Sequence, residues 1–316
     1  MSCIRLSCLL FIAVLAQTAN SATLRVGPGE EYLSIAAAAR AAQDGDTVEI
    51  MPGLYLGDVA VWSQRLLTIR GVGTRPVLNA DGRDAEGKAI WVIRNGNITI
   101  ENIEFRGARV PSGNGAGIRF EGGKLTLRNC SFVDNQMGLL TGNDLVSELI
   151  IENSRFADAP RQTSPLPHLL YVGKIARFSL KNSRFTNGYQ GHLVKSRAGI
   201  NTITDNNIVD GPNGEASYEL DLPNGGMAYI ERNTIGQSAR SPNHAIISYG
   251  SEGNTWPDST LTLTGNTLIN ERPAGGWFLR VNAANFPSPP VVRMLNNRTI
   301  GQGVFETGTS NPANTR

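Results

Sequence analysis

The stretch ITIENIEF, residues 98–105, returns in varied form as LTLRNCSF (125–132), LIIENSRF (149–156), FSLKNSRF (178–185), TITDNNI (202–208), AYIERNTI (228–235) and LTLTGNTL (261–268). Each phrase is a strand of alternating apolar residues, an Asn and an apolar anchor. The anchors Phe105, Phe132, Phe156, Phe185, Ile208, Ile235 and Leu268 follow one another at steps of 27, 24, 29, 23, 27 and 33 residues. Units of that size without an amphipathic helix cannot bury their own inner face and must stack on their neighbours. A leucine-rich horseshoe needs Leu at fixed positions and a helical segment in each repeat, and neither is visible. The repeat predicts an all-β chain wound as a parallel β-helix, right-handed because parallel crossovers are right-handed. The Asn at or beside each corner (Asn102, Asn129, Asn153, Asn182, Asn206, Asn233 and Asn266) is structural, because its amide tolerates tight turns and can bond the equivalent Asn one coil away.

A second strand precedes each Asn phrase: AGIRFE, MGLLTG, HLLYVG, HLVKSR, YELDLP, HAIISY and WFLRVN. Aligned by apolar parity, Ile118, Leu139, Leu170, Val194, Leu220, Ile246 and Leu279 form an inward column. The flanking column, Arg119, Leu140, Tyr171, Lys195, Asp221, Ile247 and Arg280, then points outward, with Glu219 on one side and Arg197, Tyr249 and Asn282 on the other. Lys195 and Arg197 stand roughly 7 Å apart on one strand, with Asp221 about 5 Å away on the next coil. His168, His192 and His244 share one column that parity turns inward, which favours a stacked structural ladder. They show no helical metal spacing and no convergent carboxylate, so zinc is not expected.

Upstream, EYLSIAAAARAAQDGDTVEIMPGLY begins with an Ala-rich helical stretch, Ala36 to Ala42, which would cover the open first coil, and turns at Asp44 to Asp46 into a strand. The run AAQDGDTVEIMPGLY, followed by LLTIRGVG and PVLNADG, resembles the opening coils of the right-handed parallel β-helix superfamily of pectate lyases, other polysaccharide lyases, C5-epimerases and related glycosidases. The resemblance covers roughly Leu24 to Gly303. It implies the fold and, in the lyases, a polysaccharide lying along the outward face of such strands; it does not fix the reaction.

On that face a uronic-acid polysaccharide can be cleaved by β-elimination: a cation neutralises the sugar carboxylate, a base removes the adjacent proton, and an acid assists the leaving oxygen. Lys195 suits the base, since neighbouring positive charge favours its neutral amine, and Arg197 suits bidentate binding of the carboxylate. Tyr171 can donate a proton or stack on a sugar, and His192 is a partner for returning a proton in epimerisation. Arg119, Glu219, Asp221, Tyr249 and Arg280 are the expected substrate-binding positions. Calcium held by Glu219 and Asp221 could serve the same neutralising task, but no cluster of three or four carboxylates stands in the sequence. Three alternatives remain: a C5-epimerase, which starts with the same proton abstraction; an inverting glycoside hydrolase using Glu219 and Asp221, roughly 7 Å apart on one strand; and a carbohydrate-binding protein without catalysis.

The first 22 residues, MSCIRLSCLLFIAVLAQTANSA, place Arg5 before an apolar run and end in small residues, the layout of a secretory signal. The expected organisation is therefore a signal peptide over 1–22, a β-helix over 23–303 and an irregular tail over 304–316, in a secreted or periplasmic monomer. Cys3 and Cys8 would leave with the leader, and Cys130 alone permits no intrachain disulfide. A formal net charge of +2 on 316 residues, with no long charge run, argues against a nucleic-acid partner, and no later stretch is apolar enough to span a membrane.

Overall fold

The structure, a computed structural model, describes residues 21–162 and 165–308. The signal-peptide reading falls almost wholly outside them, as do residues 309–316. The described residues form a right-handed parallel β-helix with three long sheets, of 11, 10 and 10 strands, in which every pairing joins one coil to the next. The 11-stranded sheet carries the strands that open the repeated phrase, such as Asn97–Glu101 and Lys124–Arg128. A 10-stranded sheet carries the anchors, as in Glu104–Arg106 and Ser131–Val133, and the other carries the strands of the outward face, from Ala60–Trp62 to Val304–Glu306. The last of these continues the β-helix beyond the expected boundary at Gly303 by pairing with Trp277–Val281.

The corner residues explain the repeated Asn. Asn102, Asn129, Asn153 and Asn182 all adopt left-handed backbone, with φ between 48° and 56°, which Asn tolerates better than other side-chain-bearing residues. In later coils this position passes to Asp205 and Arg232, and the Asn moves to the next residue. There it is buried: Asn206 Nδ2 donates to Asn233 Oδ1 at 2.9 Å, Asn233 to Asn266 at 3.1 Å and Asn266 to Asn297 at 2.9 Å. The sequence column thus resolves into two adjacent ladders. Cys130 continues the inner one, its thiol pushed up to about 12 by burial.

Inside the coils the anchors stack. Ring centroids of Phe105, Phe132, Phe156 and Phe185 follow at 5.1, 4.6 and 4.8 Å, and Trp91 and Trp62 extend the stack toward the first coils. Burying this file, together with the aliphatic columns beside it, is the main stabilising term. The first coil is covered by α1 (Ile35–Ala41), one residue earlier than expected. Ser34 Oγ accepts from Ala37 N at 3.2 Å, and the Asp58 carboxylate accepts from Ile35 N and Ala36 N at 2.6 and 3.0 Å. These bonds satisfy backbone donors that the first turn leaves free.

Candidate functional site

The strands His168–Val172, Val194–Ser196 and Leu220–Leu222 pair with Tyr171 opposite Lys195 and Lys195 opposite Asp221. The expected outward column is therefore present at its centre, and Arg197 joins it just beyond the strand end. Arg197 is held by three different acceptors: Nε donates to Tyr171 Oη at 2.9 Å, Nη1 to Asn224 Oδ1 at 2.7 Å and Nη2 to Glu252 Oε2 at 2.5 Å. Lys195 Nζ donates to Glu252 Oε1 at 2.6 Å and lies 3.8 Å from Asp221 Oδ2. Both cations also lie 5.7 Å from the Tyr171 ring centroid. Because a guanidinium can only donate, Tyr171 Oη accepts from Arg197 and keeps its own proton for another partner.

Glu252 was not among the sequence candidates. It stands on the loop between Ala245–Tyr249 and Thr260–Thr264, which is fastened to the two preceding coils. Glu252 N donates to Pro223 O and Trp256 N to Asn224 O, both at 3.0 Å; Asn224 Nδ2 donates to Gly253 O at 2.6 Å and Trp256 Nε1 to Arg197 O at 3.0 Å. The loop starts at Gly250, whose φ of 79° and position 2.2 Å from the Phe286 ring, measured from where a Cβ would stand, leave room for no side chain. Burial raises the Glu252 pKa, but the hydrogen bonds and charges of Lys195 and Arg197 outweigh it and hold the carboxyl below its ordinary value. The same exchange raises Arg197, whose burial is offset by its bonds to Tyr171 and Glu252. Beside the cluster, Tyr171, Arg197, Asn224, Asn143, Lys174 and Thr255 line an open groove of about 680 Å³.

Asp221, 1% exposed, sits at the floor. His192 Nδ1 lies 3.1 Å from its Oδ2, within ion-pair range but off the axis of a good hydrogen bond. His168 Nδ1 accepts from His192 N at 2.8 Å, so its proton belongs on Nε2. Burial, and then the charges of His192, Lys195 and Arg197, hold His168 well below the usual imidazole range.

Four sequence expectations need correction. His168 and His192 do share a column, but it turns toward Lys195 and Asp221 rather than inward, and it continues through Tyr218 to Ala245. His244 lies one residue before it and is exposed. The register at that coil is displaced by one: Ile247 pairs with Leu220, Ser248 with Asp221 and Tyr249 with Leu222. Tyr249 is consequently internal, stacked on Phe286 at 5.3 Å with its hydroxyl donating to Gly226 O at 2.5 Å, and cannot touch a polymer on the face. Glu219 is wholly buried, and neither carboxylate oxygen has a hydrogen-bond partner. Burial first, then the nearby Asp210 charge, pushes it well above the usual carboxylate range. Glu219 therefore pairs with Asp221 neither as a hydrolase acid and base nor as a calcium donor set. Among the described residues no three His, Cys, Asp or Glu side chains gather as a metal-ligand group.

The corrections at Glu219 and His192 share one cause. At the start of these strands two consecutive residues enter the core, Leu169 with Leu170, Leu193 with Val194 and Ile246 with Ile247. Alternation is broken there, so Glu219 goes in with Leu220 and the residue before the pair goes out. Arg119 lies in the outward column but three coils from Lys195, with Leu140 and Tyr171 between the two, and its Nε is buried without a partner. Arg280 lies over the Trp277 ring at 4.8 Å and 3.6 Å from Glu306, at the far end of the face.

Comparison with curated proteins finds no match. Among solved structures, the alginate lyase from Paenibacillus sp. str. FPU-7 superposes with a TM-score of 0.65 at 15% identity, over 90% of this chain and 98% of that one. A mutant alginate lyase of family PL6 is matched with a TM-score of 0.46 at 17% identity, over 93% of this chain and 41% of that one. At such identities the likeness is one of fold. The sequence itself matches the model described as right handed beta helix region over residues 88–311, well over half its length, and with the coils and their pairing already established the chain belongs to that family.

Proposed function

We propose that the protein cleaves a uronic-acid-containing polysaccharide by β-elimination on the outward face of the β-helix. The observation that carries this reading is the convergence of Tyr171, Lys195 and Arg197 beside an open groove, with the tyrosine oxygen already accepting from the guanidinium. Arg197 is the group for the sugar carboxylate, where it also stabilises the enolate that forms on proton loss. Lys195, as the free amine, removes the proton next to that carboxylate. Tyr171 donates its unused proton to the departing glycosidic oxygen. Asp221 backs the lysine from below, with His192 against the same carboxylate oxygen. The like-folded Paenibacillus protein is an alginate lyase, which fits a uronate substrate. The leader-like first 22 residues support export to where such polymers are met.

The test is incubation of the purified chain with a panel of uronate polysaccharides while following ultraviolet absorbance. Elimination leaves an unsaturated ring that absorbs; hydrolysis leaves reducing ends without absorbance, and binding alone leaves neither. Absorbing product from at least one polymer, lost in Lys195→Met, is the expected result. Reducing ends without absorbance overturn the proposal.

A further inference from the structure

We infer that Glu252 is an internal stand-in for the substrate carboxylate, a specificity-determining residue that a uronate must displace from Lys195 and Arg197 before reaction. The inference rests on the proposed function and adds a step to it. Glu252 holds both cations at once, through Oε1 at 2.6 Å and Oε2 at 2.5 Å, which is the bidentate arrangement a sugar carboxylate would need. Lys195 and Arg197 stand against Asp221 and Glu252, so the resting cluster is formally neutral. Moving Glu252 aside leaves one positive charge uncompensated, matched by one incoming carboxylate.

Of the two acids, only Glu252 is free to leave. Its side chain is 43% exposed at the rim, whereas that of Asp221 is 1% exposed beneath the lysine. The loop backbone is fastened by Pro223, Asn224 and Trp256, so the movement is a rotation of one side chain about a fixed support. A neutral sugar has nothing to offer the two cations in exchange for Glu252, so the site selects for acidic polymers.

The experiment compares Tyr171→Phe, inactive on the proposed mechanism, with the double variant carrying Glu252→Gln as well, each titrated calorimetrically with a uronate oligosaccharide and with a neutral one of similar length. The double variant should bind the uronate about five-fold tighter or more, with no gain for the neutral sugar. In the active background Glu252→Gln and Glu252→Ala should both lower KM. Unchanged or weaker uronate binding, or a fall in kcat without a fall in KM, would overturn the inference and show Glu252 to be a positioning residue. If the wild type yields absorbing product but these shifts are missing, the elimination reading stands and the displacement step falls. If uronate binding tightens but no polymer is cleaved, displacement stands and elimination falls. Absence of uronate binding in both variants overturns both.

Discussion

Glu252 Oε1 lies 2.6 Å from Lys195 Nζ although 57 residues separate them in sequence. That contact, together with Asp221 beneath, leaves Lys195 only 8% exposed, so a residue on the outward face is nonetheless a buried ion. Lys195→Met should lower kcat by about 10²-fold or more. It should also cost about 1–3 kcal/mol, because Asp221 keeps its charge and loses a cation. Urea unfolding beside the absorbance assay separates the two effects. A variant as stable as the wild type would mean that the lysine ion pairs contribute nothing to folding.

Glu219 gives a prediction in pH. It stands among Leu193 and Ile246 with no hydrogen-bond partner, so folding favours its protonated form. A carboxyl raised in the folded state contributes stability that is whole below its ordinary value of 4.5 and is lost as pH rises toward the folded value. Asp210, pushed up to about 6 mainly by burial, acts in the same sense over a lower window. Glu219→Leu, which continues the apolar column, should therefore stabilise by about 1–3 kcal/mol at neutral pH and flatten the decline as pH rises above the ordinary carboxyl value of 4.5. Thermal melts across that range check it. Parallel curves for wild type and variant would show that Glu219 does not titrate with folding.

The two Asn ladders are predicted to differ. Asn233 is 1% exposed; its Nδ2 donates to Ile203 O at 2.8 Å and to Asn266, and its Oδ1 accepts from Asn206 N at 2.9 Å. Asn233→Ala should cost about 2 kcal/mol or more, since it strands groups on both neighbouring coils. Asn129→Gly retains access to left-handed backbone and loses two exposed contacts, the amide bridge of 3.1 Å to Asn102 and the bond of 2.7 Å from Arg75 Nη2, so it should stay within about 1 kcal/mol. Equal losses in chemical denaturation would contradict the distinction.

The fold was legible because a solenoid writes its period into the chain: the Phe file and the corner Asn recur whatever the loops do. The centre of the site was legible for the same reason, since Tyr171, Lys195 and Asp221 lie on consecutive strands where alternation holds. It failed where alternation itself fails. In HAIISY, Ala245, Ile246 and Ile247 are all apolar, so parity offers no choice of register, and Tyr249 was placed on the wrong side. At Glu219 the paired inward residues break the period, and a carboxylate in an otherwise aliphatic column reads as exposed. Glu252 had no periodic signal, because it stands on a loop whose length is peculiar to its coil. The hint was an acid flanked by Gly250, Gly253 and Asn254, all left-handed, directly after a strand of the cation-bearing sheet.

Arg197→Lys tests whether this site needs a guanidinium or only a positive charge. The three nitrogens of Arg197 serve Tyr171, Asn224 and Glu252 in one plane, at 2.9, 2.7 and 2.5 Å. A lysine carries one nitrogen on a flexible stem and cannot hold all three in that fan. With the charge kept, electrostatic attraction for an acidic polymer should survive in part, but bidentate capture of the carboxylate and the bond that orients Tyr171 Oη should not. The expected result is a fall in kcat/KM of about 10²-fold or more, with kcat contributing because the tyrosine proton is no longer aimed. Asn224→Ala removes the Nη1 acceptor and one tie to the Glu252 loop, at Gly253 O, but leaves the Tyr171 contact and the backbone ties of that loop, so its loss should be much smaller and should appear chiefly in KM. Steady-state kinetics of the two variants on the same uronate polymer decide the matter. If Arg197→Lys turns over like the wild type, the fan of three contacts is scaffolding, and any cation at this position would serve.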